Sequence, residues 1–279
     1  MEKIIPNTFE ETEFFKEHGN LVEFFDNCCQ EHNGKMAFES FGVEISYEDL
    51  SEKVNAFASW LTNNFQAGDR IAVMMPNMLA YPIIVYGALK AGIIVVNVNP
   101  LYTPRELEHV LKDSEAKVIV AWEGIANVVE KSNLANVETV MITTVGDLLG
   151  FKGKIINFVT RKVKKLVPKF NIDGALMFNK VLSDNSGANP VKVDISIDNT
   201  AFLQYTGGTT GVSKGAVLSH RNILANIIQA FFTIDPKMYD VFYYGIRGAV
   251  NNAGYLCERV DEAHFTGDVM ERVKLRIRQ

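Results

Sequence analysis

The chain reads as an α/β protein, with a mostly parallel sheet flanked by helices on both faces. Three observations predict this. Residues 45–121 alternate between helical and strand-like periodicity. Ile93 to Val98 is a largely β-branched run, as expected of a strand covered on both faces. An apolar, strand-like run from Thr200 to Tyr205 leads into a bend made only of Thr and Gly.

Each element follows from local chemistry. Ser46, with Asp49 three residues later, forms a capping box for a helix. Leu50, Val54, Phe57, Ala58 and Leu61 then recur at helical spacing. Ile71–Met75 is a strand, and Asn77–Ala91 a helix that Gly92 ends. After the strand Ile93–Val98, Asn99-Pro100 turns the chain. Thr103 then caps a helix with Pro104 at its first position and Glu106 at its third. Ala116–Ala121 and Val137–Ile142 are the next strands. Helices recurring between strands imply parallel pairing. His220 precedes Arg221-Asn222, where another helix begins, and is read as that helix's structural cap, since nothing in the sequence pairs it with an acid.

Composition narrows the partners. The 279 residues are 47% apolar and 22% charged, ordinary for a globular chain long enough to bury a core. A net charge of −5 argues against nucleic acid as a general partner. Cys28, Cys29 and Cys257 make neither a metal spacing nor an even disulfide set, so a cytoplasmic location is expected. The N-terminus is acidic and lacks an apolar signal core. Tyr81–Val98 is the most apolar stretch, but Lys90 and Gly92 divide it, so it reads as a buried helix, a turn and a buried strand.

Residues 151–170 hold seven basic and no acidic residues. On a helix, Ile155, Ile156, Val159, Val163, Leu166 and Val167 would share one face, with Arg161, Lys164 and Lys165 opposite. Such a segment could lie peripherally on the anionic inner face of a membrane, or pack on its own domain with a solvated basic face. Ser183–Pro190 is a polar linker. It separates a first α/β subdomain (1–190) from the start of a second (191–236), with a divergent tail at 237–279.

Residues 205–220 carry the chemistry. Thr206, Gly207, Gly208, Thr209, Thr210 and Gly211 are followed, after Val212 and Ser213, by Lys214 and Gly215. Glycines let backbone N–H groups turn toward an anion without Cβ interference. Threonine hydroxyls add donors and possible magnesium ligands, and lysine adds a point charge. The spacing is not G-x-x-x-x-G-K-[ST], because Val212 and Ser213 stand five residues after Gly207 and Gly208; nor does G-x-G-x-x-G occur here. A plain hairpin would need only the Gly-Gly pair. A polyphosphate cradle accounts for the hydroxyls and the amine as well.

This bend resembles the phosphate-binding loop of the adenylate-forming superfamily, and its Tyr205–Gly211 form is similar to bacterial long-chain fatty-acid–CoA ligases. Leu89–Leu107 and Ile45–Leu50 resemble the same ligases, in the same order, and the likeness runs from about Phe14 to about Asp235. The resemblance implies an incomplete, N-terminal part of the acyl-CoA synthetase large domain. It implies a ligase acting on a fatty acid with ATP, Mg2+ and coenzyme A. By the same resemblance Gly207, Gly208 and Gly211 present backbone to the phosphates, Thr209 and Thr210 bond their oxygens, and Lys214 adds charge. Tyr205 and Gly215 flank the loop, and Thr206 contributes to the magnesium shell. The family's acyl-pocket His, its Tyr-Gly-x-Thr-Glu segment and its C-terminal lysine domain do not occur in these residues. From about Lys237 nothing matches, so no complete catalytic set is expected, nor activity from this chain alone. Acyl chain length is not legible.

Overall fold

The computed structural model describes residues 19–134, 136–206 and 213–233. The elements up to Ala225 belong to one compact unit, Pro6–Ala225. The expectations for residues 207–212 and for the tail 237–279 lie outside the described residues.

Helix α1 (Leu21–Glu31) opens at Asn20, whose Oδ1 accepts the N–H groups of Val22 (2.9 Å) and Glu23 (3.3 Å). Glu23 returns a carboxylate oxygen to the Asn20 N–H at 3.2 Å. Strands β1 (Met36–Ser40) and β2 (Val43–Ser46) form an antiparallel hairpin around Phe41-Gly42, both at positive φ (51° and 68°), as its two-residue loop requires. Helix α2 (Tyr47–Asn64) starts where expected, with the Ser46 hydroxyl accepting from the Asp49 N–H at 3.0 Å. The return bond differs from the expected box, because the Ser46 hydroxyl donates to the Asp49 carboxylate (2.8 Å). Aspartate is one methylene shorter than glutamate. At Thr103 the longer Glu106 does reach back to the cap N–H, at 2.7 Å.

The main sheet has the order β7-β6-β5-β3-β4-β8-β9. It comprises β3 (Arg70–Met74), β4 (Ile94–Asn97), β5 (Val118–Trp122), β6 (Thr139–Thr143), β7 (Leu176–Met177), β8 (Thr200–Thr206) and β9 (Lys214–Ser219). Pairing is parallel throughout except between β8 and β9, which are antiparallel. The predicted mostly parallel sheet is therefore present. After β4 the chain crosses back past β3 to form β5, so the strand order reverses there; ligands of open α/β sheets bind at the carboxyl ends near such a reversal.

Helix α3 (Ala80–Lys90) starts three residues later than the expected Asn77. Pro82 explains the delay. Within the first turn its missing N–H costs nothing, whereas a start at Asn77 would place it in the helix interior. Gly92, at φ 70°, closes this helix with its own N–H on the Leu89 carbonyl and the Ile93 N–H on the Ala88 carbonyl. Tyr81–Val98 is thus buried helix, turn and buried strand, and among the described residues no helix is long and apolar enough to cross a membrane.

One face of the sheet is covered by α4 (Pro104–Ser114) and α5 (Ala126–Lys131). Leu107, Val110, Leu111 and Val129 pack there on Ala72, Met74, Val96, Ile119, Ala121 and Ile142. Among the helices off that face, α2, α3 and α7 (Phe178–Asp184) meet around Phe57. A Cβ at Gly87 of α3 would lie 2.8 Å from the Phe57 ring, so glycine there lets α2 and α3 close up. Cys28 and Cys29 of α1 are buried.

The basic segment departs from expectation. Helix α6 (Gly150–Phe158) widens into a π-turn at Val159–Val163 and does not continue to Val167. Its inner stripe is small and polar. Gly153 is buried with no room for a Cβ beside the Gly146 carbonyl, and Asn157 accepts the Gly146 N–H (2.8 Å). Arg161, expected on a solvated basic face, pairs with the buried Glu123 at 2.7 Å. Phe151, Ile155, Phe158, Val163 and Leu166 are exposed instead. Burial is the largest influence on Glu123 and raises its pKa, which the Arg161 guanidinium partly offsets.

Candidate functional site

The Thr/Gly bend joins two neighbouring strands at the carboxyl edge of the sheet. β8 ends at Thr206 and β9 begins at Lys214, and these residues face each other in the ladder, with Tyr205 opposite Gly215. On its other side β8 pairs with β4, whose Asn97 stands beside Gln204. The stems are therefore well defined. Of the expected site residues, Gly207, Gly208, Thr209, Thr210 and Gly211 lie outside the described residues. Thr206 closes β8, and Lys214 is exposed at the first position of β9.

Tyr205 is buried, and its hydroxyl donates to the Asp113 carboxylate at 2.5 Å. Burial, and the negative charge of Asp113 beside it, push the phenol pKa well above its ordinary value, so the proton stays on Tyr205. The ring lies against β9, where a Cβ at Gly215 would come within 3.0 Å of it. Tyr205 and Gly215 thus serve each other. The aromatic ring fills the place that a side chain at 215 would need.

Sequence reasoning missed two groups near the bend. His109 and Asp113 project from α4 one turn apart, and His109 Nε2 donates to the Ser213 carbonyl at 2.8 Å. A carbonyl only accepts, so this nitrogen carries the ring proton. The second group is a polar row at the carboxyl end of β4. The Tyr81 hydroxyl donates to Asn97 Oδ1 (2.7 Å), and Asn97 Nδ2 donates to Gln204 Oε1 (3.1 Å). Their signal was an i, i+4 polar pair on a capped helix, and an Asn that ends an otherwise apolar strand. Neither signal names its partner, which lies about a hundred residues away.

His220 is placed differently from its expected role. The helix α8 (His220–Thr233) is capped by Ser219, whose hydroxyl accepts the Asn222 N–H (3.2 Å), while Asn222 Oδ1 accepts the Ser219 N–H (2.9 Å). The buried His220 Nδ1 instead accepts the Leu21 N–H at 3.3 Å, serving the first turn of α1. Burial lowers its pKa to about 4. The expectation fails because the preceding serine is the better cap, leaving the imidazole free to serve another helix.

Among the described residues no three or more His, Cys, Asp or Glu side chains gather as a metal would require.

The comparisons agree with this architecture. A family profile described as "AMP-binding enzyme" matches residues 25–244, past the Lys237 at which the likeness was expected to stop. The long-chain-fatty-acid–CoA ligase of Haemophilus influenzae is 47% identical over 225 residues, 79% of this chain and 40% of that protein. The ligase of the same name from Bacillus subtilis is 37% identical over 204 residues, 69% of this chain and 35% of that protein. The chain therefore spans well under half the length of these relatives. The crystal structure of the anthranilate CoA ligase AuaEII with anthranoyl-AMP superposes on 76% of this chain and 36% of that one, with a TM-score of 0.62 at 19% identity, a likeness of fold. A parallel sheet that reverses its strand order, a Thr/Gly bend at its carboxyl edge and a profile match over most of the chain make this protein a member of the AMP-binding enzyme family.

Proposed function

We propose that the protein to which this chain belongs is a long-chain fatty-acid–CoA ligase, and that the bend 206–214 holds the triphosphate of ATP. The 47% identity to the Haemophilus influenzae ligase is the observation that carries this reading. In the reaction a fatty-acid carboxylate oxygen attacks the α-phosphorus of ATP, the bond to the β-phosphate oxygen breaks, and pyrophosphate leaves. The thiol of coenzyme A then attacks the acyl carbon and AMP departs. The carboxylate is unreactive until its oxygen is carried away as a phosphate, so the work of the protein is to hold phosphates in line and offset their charge.

This chain's share is the phosphate grip. Backbone N–H groups of Gly207, Gly208 and Gly211 and the hydroxyls of Thr209 and Thr210 would bond phosphate oxygens, while Lys214 at the mouth of β9 would supply a positive charge. Thr206 would offer its hydroxyl to the Mg2+ that accompanies ATP, whose charge further neutralises the phosphates. The adenine, acyl and CoA contacts are not assigned to these residues. Calorimetry with MgATP on the 279-residue chain tests the grip. A charge-assisted contact contributes roughly 1.5–3 kcal/mol, so Lys214→Ala should weaken binding by about tenfold or more. Unchanged heat in the variant would remove the bend as the site.

A second reading concerns α6. Phe151 (76% exposed), Phe158 (61%) and Val163 (63%) face outward among Lys152, Lys154, Lys162 and Lys164. An apolar outer stripe ringed by lysines suits the surface of an anionic bilayer. The chain should co-sediment with phosphatidylglycerol vesicles at low salt and release at high salt, and Phe151→Ser with Phe158→Ser should abolish the binding. Equal sedimentation of the double variant would refute this reading.

A further inference from the structure

Among the described residues the antiparallel hairpin β8–β9 forms one edge of the sheet. Val217 in the middle of β9 is 64% exposed, and Lys214 and Ala216 are exposed as well. A ladder fixes the register of the two stems, but an edge hairpin with few side-chain anchors can twist about its partner strand. Aligning donors on a phosphate requires their placement to within about half an ångström. Something beyond the ladder must hold the stems.

Helix α4 supplies it. Asp113 holds the entering stem through the Tyr205 hydroxyl (2.5 Å), and His109 holds the leaving stem through the Ser213 carbonyl (2.8 Å). Tyr205 immediately precedes Thr206, where β8 ends, and Ser213 immediately precedes Lys214, where β9 begins. The two clamping side chains are one turn apart, so they share a face of the helix. The helix itself is anchored. Leu107, Val110 and Leu111 are buried against the sheet, and Thr103 with Glu106 closes its first turn.

We propose that His109 and Asp113 are positioning residues, a two-point clamp by which α4 fixes Tyr205 and Ser213, the residues that precede Thr206 and Lys214. The proposal deepens the phosphate reading given above and rests on it for its functional meaning. The clamp's chemistry is specific. His109 acts as an N–H donor, a role that glutamine can reproduce, and Asp113 as an acceptor for a phenol.

The test uses the full 279-residue chain with His109→Ala, His109→Gln, Asp113→Ala and Lys214→Ala. Amide hydrogen exchange of the 205–216 segment is followed without ligand, and MgATP and pyrophosphate affinities are measured by calorimetry. His109→Ala and Asp113→Ala should each speed exchange in 205–216 by about tenfold and weaken both ligands by a similar factor, with the rest of the chain exchanging as before. His109→Gln should restore both readouts, which a loss of bulk alone would not. Wild-type exchange in the alanine variants overturns the clamp, as does exchange that rises uniformly along the chain, since that marks a general role in folding. Lys214→Ala separates the two claims. If it leaves MgATP binding unchanged, the phosphate reading falls, and the exchange of 205–216 still decides the clamp.

Discussion

Phe57→Ala is expected to lower the stability of the chain by about 3–5 kcal/mol, the range for deleting a buried aromatic ring. The ring is fully buried, stacks on Trp60 at 5.8 Å and meets Phe178 edge-on at 5.5 Å. Collapse into the space is hindered on two sides. Gly87 has no side chain with which to follow the retreating ring, and Phe178 belongs to a separate helix, α7. The loss should therefore fall in the upper part of that range and consume a large share of a typical domain's stability. Urea unfolding followed by circular dichroism measures it as a fall in midpoint at constant slope. A loss below about 1 kcal/mol would mean that α2 and α3 close over the vacancy, contrary to the packing described.

His220→Asn is expected to flatten the dependence of stability on pH. In the folded chain His220 must keep Nδ1 unprotonated to accept from Leu21, and burial lowers its pKa from 6.5 to about 4. A depressed pKa means that the unfolded chain binds more protons between these values. The stability is fully present above pH 6.5 and is lost as pH falls toward 4. The shift corresponds to roughly 3 kcal/mol at 1.36 kcal/mol per unit. Asparagine can accept the Leu21 N–H through its amide oxygen without titrating, so the difference in slope between the two proteins isolates His220. Glu123 acts in the opposite sense, because its raised pKa favours the folded state as pH falls toward its ordinary value. The Arg221 contact lowers the Asp198 pKa, so its contribution is lost only below the ordinary aspartate value. Both effects are common to the two proteins and cancel in the difference. Parallel stability profiles from pH 7 to 4 would refute the assignment of His220.

Where an element was legible, its signal was local. Thr103 with Pro104 and Glu106 announced α4 because cap, first-turn proline and return carboxylate all lie within four residues. The apolar run Ile93–Val96 announced β4 because a strand covered on both faces carries apolar residues on both. The start of α3 was misplaced because Pro82 is permitted in a first turn, and only the actual turn shows which residue begins it. The basic segment was left with two placements for a related reason. Periodicity tells which residues share a face, but not which face meets the protein. Gly153 and Asn157 took the inner side beside Gly146, and the exposed Arg161 reaches the buried Glu123.

The Thr/Gly composition of residues 206–211, the lysine after them and the strand that precedes them came from the order of residues alone, because anion cradles are built from consecutive backbone groups. Which residues meet the two ends of that segment was decided only by the fold. Asp113 and His109 reach Tyr205 and Ser213 across about a hundred residues, and Gly215 matters because the ring of Tyr205 lies on it. A hydrogen bond needs its partners within about 3 Å in space, and distance along the chain says nothing of that until the sheet brings its carboxyl edge together.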